Sequence, residues 1–329
     1  MLEKSIRIYK DSEIYYINLA AVLRELNENE RAIQSCLKAL KIKPESKEAF
    51  YNLAICYKET GQTDKALETF KKAEIEDSLE RYVYELYVSK RFEEFQREFY
   101  SIKNNYPKSS LLQALSNHAS IVYDKDLNYN FCNFGLKYIY KINLKNIIKD
   151  HDNLRRNLIK EINKYSSNHK DQKLITNGSQ TSGNIFLEKS ENIQRLNNII
   201  KDELFKYRNK FNNNSDQIFR MWPEEYRLKG WIIKMYNQGY LGSHIHENGW
   251  ISGGYYLKIP KNKKNNDEAS ISFSYSKEGL PPTEETFDEE IVNLENGDLI
   301  LFPSSIYHKT IPFNSEEERI CIAFDMEIL

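Results

Sequence analysis

The 329-residue chain is poor in cysteine: Cys36, Cys56, Cys132 and Cys321 are scattered, and no two form a Cys-x-x-Cys pair. That spacing argues against a disulfide framework and a cysteine zinc site, and the expectation is four reduced thiols in a cytoplasmic protein. Charge of one sign is also missing. Lys+Arg is 47 against Asp+Glu 48, a formal net charge of −1, so the basic footprint of a general nucleic-acid binder is absent. No apolar run approaches the ~18 residues that a membrane helix needs. The opening residues, Met1 to Arg7, contain no apolar h-region, and no secretory leader is expected. What the chain does have is 40% hydrophobic and 13% aromatic residues. That is enough to bury a real core, and the length suggests about two domains.

The first third matches itself at an offset of 34 residues. Tyr16-Ile17-Asn18-Leu19-Ala20 falls on Phe50-Tyr51-Asn52-Leu53-Ala54, Ala32 on Ala66, Cys36 on Phe70 and Ala39 on Ala73. This period belongs to helix–turn–helix solenoids. Leu19 and Ala20 are expected on the inner face of a first helix. Ala32 and Ala39 share one face of a second helix, where small side chains let helices approach closely. Asn27 and Gly61 fall at the turns, where a positive φ is favoured, and Pro44 ends the first unit. These residues resemble the tetratricopeptide repeat. Two units match, Glu13–Ser46 and Lys47–Glu80. A third, Leu79–Pro107, is eroded, as a capping unit is expected to be. Repeats of this kind imply a peptide or protein partner, with plain packing or self-association as the alternative.

The middle of the chain reads as a bridge. Ser109–Tyr123 is expected to be a helix, a strand is expected around Lys137–Ile142, and Ile147–Lys164 and Ile193–Phe211 have helical apolar spacing. Ser166–Thr181 is polar and reads as a loop. His118, His151 and His169 lie here without a partner motif and read as surface or packing histidines.

From Trp231 onward the period changes to two. Trp231–Tyr236, Leu241–His246, Ile251–Leu257, Ser270–Tyr275, Ile291–Leu294, Asp298–Phe302, Ile306–Thr310 and Arg319–Met326 read as strands. Asn296-Gly297-Asp298 is a tight-turn signal. So many short strands in about a hundred residues predict a double-sheet jelly roll. His244 and His246 are two apart on a strand and share a face. His308 lies about sixty residues later. A His-x-His strand with a distant third histidine can place three neutral imidazoles on one metal ion. Arg319, on the next strand, is positioned to be a fixed cation for a carboxylate. The competing reading is a non-catalytic jelly roll whose histidines only form hydrogen bonds. Lys258–Lys264 is a basic loop and Glu284–Glu290 an acidic one, both expected to be solvated. Ser276–Glu285 is a candidate lid. Trp250 and Tyr275 are candidates for lining a pocket or packing the core.

The stretch Gly239–Leu257, containing Ser243-His244-Ile245-His246 and Ser252-Gly253-Gly254-Tyr255-Tyr256, resembles the core of the 2-oxoglutarate/Fe(II)-dependent oxygenases related to prolyl hydroxylases. Gly297–His308 and Glu318–Phe324 are similar to the second half of that core, and Asn177–Thr181 to a segment preceding it. The resemblance covers Leu127–Leu329. It implies an Fe(II) centre held by His244, His246 and His308, with 2-oxoglutarate as co-substrate and O2 as oxidant. The far carboxylate of 2-oxoglutarate would pair with Arg319, helped by a hydroxyl from Tyr236 or Tyr256; barrel packing is the alternative for both tyrosines. One residue departs from the wider pattern: His246 stands where that superfamily has Asp or Glu.

The sequence thus predicts an α+β multidomain chain. Residues 1–107 would be an α-helical repeat solenoid, 108–126 a connecting helix, and 127–329 a double-stranded β-helix (jelly roll) with flanking helices. The expected activity is hydroxylation of a protein side chain or small molecule, with release of succinate and CO2, and with no nucleic-acid or membrane partner. Two alternatives stay open: a scaffold with a degenerate jelly roll, and a cupin-like three-histidine metal enzyme that does not use 2-oxoglutarate.

Overall fold

A computed structural model describes residues 12–75, 77–164, 169–170, 174–282, 287 and 289–329. The chain divides into two compact units, one ending at Asn105 and the other spanning Tyr106–Leu329.

Among the described residues, the first unit contains three helix pairs: α1 (Glu13–Glu25) with α2 (Asn29–Ile42), α3 (Lys47–Glu59) with α4 (Thr63–Ala73), and α5 (Ser78–Val88) with α6 (Phe92–Ile102). Ala20, Ala32, Ala39, Ala54, Ala66 and Ala73 are all buried, as close helix approach requires. The turn within each pair repeats one device. Asn27, Gly61 and Lys90 take φ values of 58°, 72° and 60°. The next amide reaches back to a carbonyl five residues earlier: Glu28 to Leu23, Gln62 to Tyr57 and Arg91 to Leu86, at 2.8, 2.8 and 3.0 Å. These are Schellman closures, which satisfy helix-end carbonyls. The third pair keeps this turn but packs differently. Phe95 and Phe99 are fully buried, and Tyr87 lies 4.5 Å from Phe95 between ring centroids. Aromatic rings fill the space that small residues close in the first two pairs.

The second unit contains α7 (Ser110–Tyr123), β1 (Tyr140–Asn143), α8 (His151–Ile162), β2 (His169–Lys170), β3 (Ile175–Thr181), α9 (Glu191–Phe211), α10 (Gln217–Arg220) and β4 (Tyr226–Leu241). Then come β5 (Ile251–Lys258), β6 (Ile271–Ser274), β7 (Glu289–Val292), β8 (Asp298–Pro303), β9 (Tyr307–Thr310) and β10 (Arg319–Ile328). A seven-stranded sheet has the order β1-β8-β5-β10-β4-β3-β2, and a three-stranded sheet the order β7-β6-β9. Ile233, Met235, Tyr256, Ile271, Phe273, Ile300, Phe302 and Phe313 form one apolar cluster with strands from both sheets. This is the double-sheet arrangement that the period-two segments predict.

α7, expected as a connector, is built into this unit. Gln113 and Asn117 are buried, Gln113 Oε1 accepts the Cys132 amide at 2.7 Å, and Ser110 Oγ donates to the Gly249 carbonyl at 3.1 Å. Three strand expectations need correction. β4 is far longer than Trp231–Tyr236, because it pairs with β10 along its first part and with β3 along its second. Leu241–His246 is not a strand beyond Leu241; only an isolated bridge joins His244 to His308. Ile175–Thr181 is a strand, not a loop. It lies near the sheet edge with mostly half-exposed residues, so it carries no apolar alternation. Residues 165–168, 171–173, 283–286 and 288 lie outside the described residues, which leaves out parts of the expected polar loop, candidate lid and acidic loop.

Among the described residues, no helix is long and apolar enough to cross a membrane. His118 and His151 are packing residues. His118 Nε2 lies 3.2 Å from Ser276 Oγ with its ring stacked on Phe287, and His151 Nε2 lies 3.0 Å from the Tyr255 hydroxyl.

Candidate metal centre

Three histidines meet between the sheets. His308 lies on β9. His244 is held beside it by paired backbone hydrogen bonds: its amide donates to the His308 carbonyl at 3.1 Å, and the His308 amide returns to His244 at 2.9 Å. The His246 amide is tied to the Ser304 carbonyl at 3.1 Å. His244 and His246 therefore stay in place through cross-strand hydrogen bonds, although they do not extend β4. The ring centroids are 4.3 Å apart for His244–His308, 5.0 Å for His246–His308 and 5.1 Å for His244–His246. One potential ligand atom from each lies within 4.8 Å of the others; this is the one such cluster among the described residues.

The outward-facing nitrogens determine what the inward-facing ones can do. His244 Nδ1 lies 2.8 Å from the Gly242 carbonyl, His308 Nδ1 3.1 Å from the Ile306 carbonyl, and His246 Nδ1 2.5 Å from Asp325 Oδ1. Each partner is an acceptor, so in the neutral ring the proton belongs on Nδ1 and the lone pair on Nε2. Three lone pairs then converge, with His244 Nε2 and His246 Nε2 only 3.1 Å apart. Two facing acceptors repel unless a cation or proton lies between them. Burial pushes the His244 pKa down to about 4, and burial with the two neighbouring imidazoles holds His308 well below its usual range. Both rings are therefore neutral at pH 7, the state a metal requires. The donor set fits a first-row divalent metal bound by imidazole.

The histidines line a cavity of about 290 Å³ together with Trp231, Ile233, Tyr256, Phe302, Thr310, Arg319 and Asp325. Arg319 is 2% exposed. Its Nε donates to the Ala269 carbonyl at 3.0 Å, and its guanidinium lies 5.0 Å from the Tyr256 ring centroid. No carboxylate pairs with it among the described residues. A buried cation without a counter-ion is costly, and it fits a site completed by an anionic ligand.

The structure brings together His244, His246, His308, Arg319 and Tyr256, all on the cavity wall. It does not bring Tyr236. Lys229, Trp231 and Ile233 face the cavity from β4, so Tyr236 has the opposite parity. The β3–β4 register also slips there: Gly178 faces Met235 while Thr176 faces Tyr240. The Tyr236 side chain is 51% exposed. Trp250 and Tyr275 are core residues. The Trp250 indole donates to the Ile218 carbonyl at 3.0 Å, and the Tyr275 hydroxyl accepts the Leu136 amide at 3.1 Å.

Residue-by-residue reading overlooked the layer behind the histidines. Asp325, 8% exposed, accepts from His246 Nδ1 and from Ser252 Oγ, the latter at 2.7 Å; Ser252 Oγ lies 2.7 Å from Ser304 Oγ. The Trp231 ring lies 5.5 Å from that of His246. A signal for Asp325 exists in the sequence: Arg319, Cys321, Ala323 and Asp325 alternate along β10 and all face the cavity. A carboxylate in an inward-facing position of a buried strand calls for a partner.

Residues 229–325 match the family described as "Putative 2OG-Fe(II) oxygenase". Residues 14–46 and 35–68 match tetratricopeptide repeats. In sequence order, the chain therefore carries a region that matches tetratricopeptide repeats and then a region that matches that oxygenase family. Among solved structures, a prolyl-4-hydroxylase from Pseudomonas putida is similar at 13% identity and TM-score 0.40, covering 58% of this chain and 92% of that one. HygX from Streptomyces hygroscopicus, solved with nickel and 2-oxoglutarate, is similar at 12% identity and TM-score 0.40, covering 58% and 82%. YrrB, a tetratricopeptide protein with an unusual peptide-binding site, is similar at 22% identity and TM-score 0.32, covering 37% and 68%. A comparison with curated proteins finds no match.

Proposed function

We propose that this chain is a 2-oxoglutarate- and Fe(II)-dependent dioxygenase that hydroxylates a C–H bond in a protein side chain or small molecule. The observation that carries this reading is the pairing, in one cavity, of three convergent imidazole lone pairs with a buried arginine that lacks a carboxylate partner among the described residues. His244, His246 and His308 would hold the iron. Arg319 would bind the distal carboxylate of 2-oxoglutarate, since a guanidinium matches that group through charge-assisted, bidentate hydrogen bonds. The Tyr256 ring beneath the guanidinium keeps its plane in place. When bound, iron with 2-oxoglutarate and O2 supplies the oxidising chemistry, while the protein orients the reactants and excludes water. Phe302, Ile233 and Trp231 give the cavity apolar walls that keep bulk water from the reacting atoms.

The helical repeats would contact a peptide or protein partner, which makes a protein substrate attractive. The cupin-like alternative accounts for three histidines, but it leaves Arg319 without a role.

Anaerobic Fe(II) titration, with and without 2-oxoglutarate, tests the proposal. The expected result is stoichiometric iron binding and a weak visible charge-transfer band that appears only with the keto acid. His244→Ala and His308→Ala should lose both iron binding and turnover of 2-oxoglutarate to succinate. Iron binding without the band would favour the cupin-like reading, and no iron binding would favour the scaffold.

A further inference from the structure

Three neutral imidazoles bring no charge to a metal, whereas the common two-histidine, one-carboxylate set brings one negative charge. In this chain the residue at the usual carboxylate position is His246, and the three histidines are not equivalent. His244 and His308 turn their Nδ1 atoms to uncharged backbone carbonyls, those of Gly242 and Ile306. Only His246 turns Nδ1 to a carboxylate, Asp325, at 2.5 Å.

We propose that Asp325 is a positioning residue that returns the missing negative charge to the metal centre through His246. The proposal rests on the reading of the site as an iron centre. Asp325 is 8% exposed, and among the described residues no lysine or arginine lies within ion-pair distance of it; Lys229, opposite it on β4, pairs with Glu327 instead. The same oxygen, Oδ1, accepts from both His246 Nδ1 and Ser252 Oγ. A carboxylate accepting from an imidazole N–H fixes the tautomer, orients the ring and makes the opposite nitrogen a stronger donor to a metal. Ser252 tempers this by sharing the oxygen. The surroundings leave the carboxylate little freedom. A Cβ at Gly249 would lie 2.5 Å from Ser304 Oγ and 3.2 Å from Asp325 Oδ1. The charge that the His-x-His motif removes from the first coordination shell thus reappears one residue behind it, at the same ligand.

The test is anaerobic Fe(II) titration and mediated potentiometry of the full chain, comparing wild type with Asp325→Asn and Ser252→Ala. Asp325→Asn keeps the shape and an acceptor oxygen but removes the charge. It should bind Fe(II) about 10–100-fold more weakly and shift the Fe(III)/Fe(II) midpoint positive. Ser252→Ala removes a competing donor from Oδ1 and should shift the midpoint negative without weakening Fe(II) binding. Opposite shifts support charge supply, because a purely structural role would not reverse sign between the two variants. Wild-type iron binding with Asp325→Asn unchanged, or with both variants shifting in the same direction, overturns this proposal alone. Failure of the wild type to bind Fe(II) overturns the iron-centre reading together with it. If circular dichroism shows Asp325→Asn unfolded, Ser252→Ala decides: a negative shift supports the proposal and no shift overturns it.

Discussion

Replacing Arg319 by methionine should weaken 2-oxoglutarate binding severely while leaving the ligand-free protein about as stable as wild type. The argument is the mismatch between burial and pairing. Arg319 is 2% exposed, yet the groups it meets are uncharged: the Ala269 carbonyl, Tyr256, the Cys321 thiol and, at 4.0 Å, Met235 Sδ. In the apo-protein the substitution loses a hydrogen bond and a cation–π contact, each about 1 kcal/mol. It also removes the desolvation cost of a buried charge, and exchanging buried ionic groups for apolar ones is often neutral or favourable by about 1–4 kcal/mol. These effects offset to within about 2 kcal/mol. With the co-substrate bound the balance reverses, because a buried ion pair stripped of one partner loses about 3–5 kcal/mol. At about 1.4 kcal/mol per decade this is a weakening of about 100-fold to several thousand-fold. The assay is thermal unfolding of the metal-loaded protein with increasing 2-oxoglutarate. At 100 times its Kd the ligand stabilises wild type by about 2.7 kcal/mol. At about 2–4 °C per kcal/mol for a unit of this size that is a rise of about 5–11 °C. The variant should show almost no rise at the same concentration. An apo-variant destabilised by more than about 3 kcal/mol, with its ligand response intact, would refute the reasoning and make Arg319 a structural cation.

Lys90→Gly should stabilise the repeat unit by about 1 kcal/mol in urea unfolding, because Lys90 holds φ 60° where glycine is unstrained; a loss of stability would show that the lysine side chain matters more than its backbone. Gly249→Ala should lower both stability and Fe(II) affinity, since its Cβ would intrude on Ser304 and Asp325; wild-type affinity would show that the carboxylate moves aside freely. Burial lowers the pKa of His118 from 6.5 to about 4. The unfolded chain therefore takes up a proton first as pH falls, and stability is lost between about pH 6.5 and pH 4, by about 3 kcal/mol at about 1.4 kcal/mol per unit. His118→Gln should lose correspondingly less than wild type between pH 7 and pH 4, and equal losses would show that His118 does not contribute.

Part of the site was legible because strand alternation is local. Arg319, at the start of a buried strand, needed only period two to be placed on the cavity face, whereas His244 and His246 lie beyond the end of β4 and are held at the cavity by backbone hydrogen bonds to His308 and Ser304. Tyr256 also kept its parity. Tyr236 did not come to the site, because a register slip between β3 and β4 and its own parity direct it outward. Ile175–Thr181 was unreadable as a strand because a half-exposed strand near the sheet edge has no apolar alternation to display. The helix Ser110–Tyr123 was readable as a helix, but its buried Gln113 and Asn117 show why it is no mere connector: their amides satisfy backbone groups of the segment that follows.

By itself the sequence determined most of the element types and the repeat, since the periods of two, three to four and 34 residues are properties of neighbours along the chain. It also determined the chemical inventory of the site: three imidazoles and a guanidinium. The tertiary structure decided which of these meet and what stands behind them. β10 lies between β4 and β5 in the sheet, and this brings Asp325 to His246 across 79 residues. No local pattern encodes that distance, because it arises from how two sheets register and close on each other.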